Sequence, residues 1–382
     1  MASKLQVREV QGRAERGLFI DLPWKLYRDD PMWVPPLKAS VRALLDSGRH
    51  PFYAGGADAE ITLLLAWEGH DVVGRIAAIA NHAYDRFHDE RCVFFGFFES
   101  IERPDVAKAL LRGVEEWARQ RGAQVVRGPM NPSTNYECGL LVEGFNRPPV
   151  LMMTYNPAYY QRLIEAQGFA KAKDLYAYIS PIHDANLDRL ARLAERTRQR
   201  NPGLETRPVN LADFASEVRL VQEIYNSAWE RNWGFVPMND AEIDALAKDL
   251  KPLVQPDLVR FALVDGDAAG FLLALPDWNP VLRDLDGSVW RHPVRALRHL
   301  LWTKPEDMQG LRLITMGVKE QYRKRGIEGV LFVEGIREGL RLGYEWCEYS
   351  WILEDNELTK RAVRSMEGEL YKVYRVYEKT VQ

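Results

Sequence analysis

Residues 314–331 read ITMGVKEQYRKRGIEGVL: apolar residues that suit a strand, a loop carrying Arg323, Lys324, Arg325, Gly326 and Gly329, and the start of a helical pattern. Backbone N–H groups at a helix start, opened by glycine, suit the two negative charges of a diphosphate. The three consecutive cations add charge-assisted contacts at the same point. Read without its surroundings, the same run is equally a solvated basic turn. The second candidate group is Glu348. In the strand-like run EWCEYSW, alternation puts Trp346, Glu348 and Ser350 on one face and Cys347, Tyr349 and Trp351 on the other. Burial among aromatics raises a carboxyl toward the range useful to a general base; a salt-bridged strand residue is the plain alternative.

Two further segments have the composition to line a ligand. PMNPSTNYECG offers Asn131, Ser133, Asn135 and Glu137 from a loop leaving the carboxyl end of a strand, where α/β sheets commonly place ligands. Asx turns on a polar surface would have the same composition. LVQEIYNSAWERNWGFVPM carries Tyr225, Trp229, Trp233 and Phe235, aromatics that line an apolar channel or fill a core. Cys92, Cys138 and Cys347 are scattered, without a CxxC pair or a nearby His, so neither a disulfide framework nor an acyl-carrying thiol is expected. The seven His residues show no paired-ligand spacing, and no metal is expected.

These groups need elements to hold them. Residues 58–81 read as a hairpin turning at Glu68-Gly69, residues 91–98 as a third strand, and Pro104 leads into a helix with Val106, Leu110, Val114 and Trp117 on one face, ended by Gly122. A strand at 124–127, a short helix closed by Gly168 and a strand near 175–179 follow. From Leu204 the order returns: a strand at 205–209, helices at 214–231 and 240–250, the hairpin FALVDGDAAGFLLAL with the same acidic-Gly turn, the strand LRLITMGV, the basic loop, a helix at 330–342, and EWCEYSW. Gly74 and Gly270 stand 196 positions apart, and Gly122 and Gly343 stand 221 apart, which assigns 25 extra residues to the second copy, expected between Leu275 and Leu311. The reading is an internal duplication, with domains at 1–180 and 181–382 joined through a charged helix at 186–200. The alternative is an α/β rhythm shared by chance.

The 382 residues, 46% hydrophobic, suffice for two ordinary cores. With 51 Lys+Arg against 54 Asp+Glu and a net charge of −3, no global field would hold a polyanion, so nucleic acid is not an expected partner. The amino terminus lacks the apolar core of a secretory signal, and no apolar run approaches the roughly 18 to 20 residues of a spanning helix; a cytoplasmic protein is expected. Residues 289–302, VWRHPVRALRHLLW, interleave basic residues with Trp290, Leu297, Leu300, Leu301 and Trp302. Such a segment suits the headgroup level of a bilayer, so peripheral contact with the inner face of the membrane stands beside simple packing on the domain as its expected role. Nothing in the sequence bears on oligomeric state.

The run V-K-E-Q-Y-R-K-R-G-I, an amphipathic helix, Gly343, and a strand leading through Trp351 to Asn356 together resemble the Gcn5-related N-acetyltransferase (GNAT) superfamily. Its signature is a strand followed by Q/R-x-x-G-x-G/A; Arg323, Gly326 and Glu328 stand at the three defining places, Glu328 departing from the small residue and Gly329 following it. The resemblance implies an α/β fold of two tandem GNAT-like acyl-CoA N-acyltransferase domains, with mixed twisted sheets flanked by helices. In the second, Thr315, Met316, Gly317 and Val318 would lend backbone groups to the pantetheine arm, and Arg323, Lys324, Arg325, Gly326, Ile327 and Gly329 would hold the diphosphate of acetyl-CoA or a longer acyl-CoA. The first half runs from FGFFES into IERPDVAKALL, acidic and without glycine, and is a degenerate copy. Glu348 becomes the expected base, and Asn356 a cofactor contact or a helix cap. The Tyr that many relatives carry as acid is absent near Arg364 and Ser365; Tyr371 and Tyr374 in the next strand are its substitutes, with Tyr371 the expected one. Asn131, Asn135, Glu137, Trp229 and Trp233 are the expected acceptor-binding residues. Aromatic density favours a bulky or lipid-like amine, and the layout is similar to tandem GNAT proteins and, more loosely, to bacterial ceramide synthases, which acylate a long-chain amino alcohol. N-acetylation of a small metabolite or a protein lysine, or a non-catalytic coenzyme A-binding regulatory role, are the alternatives.

Overall fold

Apolar residues flanking Glu68-Gly69 pair as β2 (Ala59–Glu68) and β3 (Asp71–Asn81), with Gly69 at φ +63° making the tight turn in this computed structural model, which describes residues 4–54, 58–183 and 187–381. The chain divides into two units: Met1–Leu175 with Val281–Ala296 and Lys372–Gln382, and Tyr176–Pro280 with Leu297–Tyr371.

In the first unit, β1 (Leu5–Glu9) and the helices α1 (Gly12–Leu26) and α2 (Lys38–Leu44) precede the hairpin, and α3 (His82–His88) follows it. None of these four carries a long apolar period or a diagnostic turn, so the residue pattern does not mark them. Then come β4 (Cys92–Ser100), α4 (Pro104–Gln120), β5 (Val125–Gly128), the short pair β6 (Met130–Asn131) and β7 (Glu137–Cys138), β8 (Leu140–Glu143), α5 (Tyr159–Glu165) and β9 (Ala170–Pro181). Strands run in the order β1-β2-β3-β4-β5, antiparallel except for the parallel pair β4–β5, and continue through β15 (Glu369–Thr380) to β9. Val106, Leu110 and Val114 recur at helical spacing and are buried against Ile76, Phe95 and Phe98, while Trp117 is only partly covered.

In the second unit, α6 (Leu187–Arg200) begins one residue after Asn186, which lies outside the described residues. It leads to β10 (Leu204–Pro208), α7 (Phe214–Trp229), α8 (Asp240–Leu250), β11 (Val259–Val264) and β12 (Asp267–Pro276). The helices α9 (Asn279–Leu285) and α10 (Pro293–Trp302) occupy the inserted segment, of which Val281–Ala296 belongs to the first unit. They are followed by β13 (Gly310–Val318), α11 (Ile327–Arg341), β14 (Trp346–Leu353) and α12 (Glu357–Arg364). The strand order is β9-β14-β13-β12-β11-β10, with β13–β14 parallel. Ile224, Phe261 and Phe271 form the core under α7. The helix expected at 330–342 starts at Ile327, so Gly329 belongs to its first turn and not to the loop.

Backbone register makes the repetition explicit. Ala66 pairs with Gly74 and Ala262 with Gly270, each beside a bulge. Gly74 also pairs with Ser100, and Gly270 with Val318, so the offset in that strand is 218. Cys92↔Val125 and Gly310↔Trp346 carry it to 221 in the next strand. The expected 25-residue insertion is therefore corrected to 22 residues before β13; the remaining three are a net difference, because the basic loop (319–326) is five residues longer than its counterpart (101–103) and α11 is two residues shorter than α4.

Candidate coenzyme A site

The basic loop leaves β13 at Val318, and Lys319 returns a backbone hydrogen bond to Ala269. A single helical turn, Glu320–Tyr322, brings the chain to Lys324 at φ +64° and Gly326 at φ +82°. Left-handed residues in such a loop turn successive N–H groups to one side, which makes a concave anion site. Among the described residues, the N–H groups of Lys324, Arg325, Gly326, Ile327 and Glu328 donate no hydrogen bond within the chain, and the first returning amides are Gly329 and Val330, both to the Gly326 carbonyl. A Cβ on Gly329 would meet nothing within 4 Å. Gly326 is different, since its Cβ would come within 2.8 Å of Thr197 Oγ1 on α6.

The three cations separate in role. Arg323 is a strut, with Nη2 donating to the Ala228 carbonyl at 2.8 Å and Nε to Val318 O at 3.4 Å, so it ties the loop to α7 and β13. Lys324 and Arg325 are exposed, with Arg325 over the ring of Tyr322 at 5.3 Å. Glu328, at the second helical position, lies where a carboxylate complements the helix dipole.

Beside this loop the two parallel strands part. β13 and β14 pair from Gly310↔Trp346 to Leu313↔Tyr349, yet β13 continues to Val318 and β14 to Leu353. The burial of β13 records the divergence: Gly310, Leu311 and Arg312 are buried, and Leu313 to Gly317 are only half covered although the strand lies inside the sheet order. Among the described residues, no strand pairs with the peptide groups on the edge of β13 that faces β14 beyond Leu313. Buried Thr315 Oγ1 has no hydrogen-bond partner among the described residues. A diverging strand edge with free peptide groups, opening onto a loop of free amides, fits an extended amide-bearing chain ending in a diphosphate.

A bulge fixes which side chains face α7. Leu311 packs toward Gly339 of α11, and Gly317 faces Trp229 of α7, although six residues separate them. The register shift between Leu273 and Ala274, opposite Ile314, reverses the alternation. Arg312, on the face opposite Leu311, therefore shares a face with Glu348, its cross-strand neighbour, and with Ser350, whose Oγ accepts from Arg312 Nε at 3.0 Å. Glu348 is fully buried, one residue before the strands part. Sequence reasoning named Glu348 without Arg312, since only the parallel register brings the two strands together. On the other face, Tyr349 stacks on Phe332 and its hydroxyl lies 3.0 Å from Ser180 Oγ. Burial pushes the Cys347 thiol up to about 12, which leaves it inert as a nucleophile.

Trp229 is half buried, stacked on Tyr225 at 4.8 Å and packed on Phe271; Trp233 is half buried in the turn after α7. Asn356 caps α12, its side chain accepting from Thr359 N–H at 3.1 Å. Arg364, near the place of the absent Tyr, reaches the hydroxyl of buried Tyr178 at 3.3 Å. Tyr371 sits half buried near the start of β15. Asn131, Asn135 and Glu137 belong to the other unit. There β4 and β5 also part, after Phe94↔Arg127, but the chain itself enters the gap. The Met130 carbonyl oxygen would lie 1.9 Å from a Cβ on Gly96, and Asn131 Oδ1 accepts from Phe97 N–H at 2.7 Å. Asn131 also pairs with Glu137 in the β6–β7 ribbon, and Asn135 N–H donates to Ser133 Oγ at 3.2 Å.

No family model matches the chain. It is 36% identical over 385 residues to the bacterial ceramide synthase of Caulobacter vibrioides (strain NA1000 / CB15N), covering 99% of this chain and 98% of that protein. The chain belongs to the bacterial ceramide synthase family. Protein YghO of Escherichia coli (strain K12) is 33% identical over 382 residues, covering 98% and 95% of the two chains. The fold of this ceramide synthase family member is that of solved GNAT proteins. A tandem GNAT protein from the clavulanic acid biosynthesis pathway covers 99% of both chains at a TM-score of 0.56 and 12% identity. A GCN5-related N-acetyltransferase from Sphaerobacter thermophilus covers 99% of this chain and 96% of its own at 0.53 and 13%. Among the described residues, no helix is long and apolar enough to cross a membrane, and no group of three or more His, Cys, Asp or Glu is placed to hold a metal.

Proposed function

We propose that the protein is an acyl-CoA-dependent N-acyltransferase whose acceptor is the amino group of a long-chain, sphingoid-like amino alcohol. The observation that carries the reading is the parting of β13 and β14 after Leu313↔Tyr349, directly before a loop of five free amides. The family relationship to a ceramide synthase supports the acceptor class. Thr315 to Val318 would pair with the pantetheine arm, and the amides from Lys324 to Glu328, with Lys324 and Arg325, would hold the diphosphate; Gly329 keeps that concavity free of a side chain. Acetyl-CoA or a longer acyl-CoA supplies an activated carbonyl.

Amide formation requires the attacking amine to be neutral and to lose a proton. Glu348 is the proposed acceptor of that proton, with Arg312 as its cross-strand neighbour. Arg312 in turn is held by Ser350, so its guanidinium does not swing away. Tyr371 is the proposed proton donor to the departing thiolate, and Asn356, besides capping α12, orients the end of β14. Trp229 and Trp233 are the proposed apolar wall for the acceptor. The duplication is proposed to join copies at 1–180 and 181–382, and the reaction to run on the cytoplasmic side, at the inner face of the membrane where a lipid amine resides.

The test mixes purified protein with acetyl-CoA or palmitoyl-CoA, a panel of amines and a thiol reagent. Thiol release that requires a long-chain amino alcohol, with the N-acyl product identified by mass spectrometry, is the expected result. Release with small polar amines or lysine peptides alone would overturn the acceptor. Binding of coenzyme A without release under any condition would overturn the enzyme and leave a coenzyme A-binding regulator.

A further inference from the structure

The apolar face of α10 points outward. Seven of the twelve large apolar side chains exposed among the described residues fall within residues 289–302, so the exposure is concentrated in one element. At helical spacing Val294, Leu297, Leu300 and Leu301 make one stripe, 80%, 53%, 81% and 59% exposed, and α10 has no buried residue at all. Trp290 precedes it at 91% and Trp302 ends it at 69%. A helix packed on its own domain would turn this stripe inward.

The charge around the stripe selects the partner. From Gly287 to Lys304 the chain has no acidic residue, and Arg291, Arg295, Arg298 and Lys304 supply four cations. Arg295 is held by Asp284, through the backbone carbonyl at 3.0 Å and the carboxylate at 3.7 Å, which anchors the helix and leaves its stripe outward. Apolar side chains in one stripe, basic side chains beside it and Trp at both ends are the requirements for lying in a membrane interface: hydrocarbon takes the stripe, anionic headgroups the cations, and the headgroup boundary the indoles. A protein partner would have to offer an apolar groove ringed with carboxylates, and none of the charge on this helix requires a groove.

We propose that α10 is a membrane-docking helix that inserts Trp290, Val294, Leu297, Leu300, Leu301 and Trp302 into the acyl boundary of an anionic lipid surface. The proposal stands on exposure and charge and does not depend on the transfer reaction. It is tested with the full-length protein and sucrose-loaded vesicles of phosphatidylcholine, with or without 30% phosphatidylglycerol by design, pelleted at low and high salt. The protein should pellet with anionic vesicles and be released by salt. Each apolar side chain withheld from the acyl boundary weakens partition on the order of tenfold, and each cation removed weakens it about fivefold. Val294→Glu combined with Leu300→Glu should therefore lose vesicle binding, and Arg291→Gln combined with Arg298→Gln should lose the preference for anionic lipid. Circular dichroism and the thermal midpoint establish that the variants are folded, since all four side chains lie outside the cores. Vesicle binding unchanged in the double Glu variant overturns the proposal. So does a wild type that ignores vesicles but forms a dimer that the double Glu variant dissociates, which would make a second copy the occupant.

Discussion

The indole of Trp229 lies over Gly317, so close that a Cβ on residue 317 would come within 2.3 Å of its ring. The contact joins the aromatic helix α7 to the half-covered run of β13, and it sets the height of the wall beside the proposed pantetheine edge. Gly317→Ala should displace the indole, destabilise the protein by about 1–3 kcal/mol as overpacking does, and raise KM for the amine more than KM for acyl-CoA. In a Trp229→Leu background the same substitution should cost much less. Denaturant unfolding of the two single variants and the double variant measures the coupling, and additive costs would show that the two residues do not press on one another.

Gly326 and Gly329 separate folding from binding. Gly329→Glu places a charged side chain where nothing in the protein stands within 4 Å, so the thermal midpoint should hold while coenzyme A binding, measured by calorimetry, falls below detection. Gly326→Ala faces both φ +82° and Thr197 and should lose about 1–2 kcal/mol of stability. Coenzyme A affinity left intact in Gly329→Glu would remove the diphosphate site from this loop.

One coenzyme A per chain is expected, because the gap between β4 and β5 is filled by Met130 and Asn131 while that between β13 and β14 is open. Calorimetric titration should give a stoichiometry near one. A second equivalent that disappears with a bulky substitution in the β4–β5 region would show that the first unit binds as well.

Glu99 gives a pH dependence whose sign can be worked out. Its register-equivalent in the second unit is Gly317, 218 positions on; Glu99 pairs with Arg75 as Gly317 pairs with Phe271. Its carboxylate accepts from Tyr27 and Tyr160 at 2.7 Å each and lies 3.4 Å from Arg75. Burial raises its pKa above the ordinary 4.5, outweighing the cation and the two hydroxyls. A folded value above the unfolded one means that its contribution to stability is complete below about pH 4.5 and is lost as pH rises through the folded value, at about 1.4 kcal/mol per pH unit where the two states differ by one proton. The stability of wild type relative to Glu99→Gln should therefore fall as pH rises from 4 to 7 in denaturant unfolding. A pH-independent difference would show that burial does not govern this carboxyl.

The elements that the sequence determined by itself were those set by near neighbours in the chain. The two hairpins, α4, α8 and the strand-loop-helix around Gly326 follow from turn residues and periodicity, because each needs only contacts a few positions apart. α1, α2 and α3 were not legible: α2 and α3 are seven residues each, too short to mark a period, and the apolar residues of α1 are bunched from Leu18 to Leu26 around Pro23 without one. The tertiary structure decided the chemistry between strands. Arg312 meets Glu348 only through the parallel register, the bulge at Ile314 chooses the face they share, and Arg323 spends its guanidinium on Ala228, 95 positions away, instead of on an anion. Two copies with one rhythm differ in which gap their own chain fills, and that depends on where a distant loop packs, a quantity that no local pattern encodes.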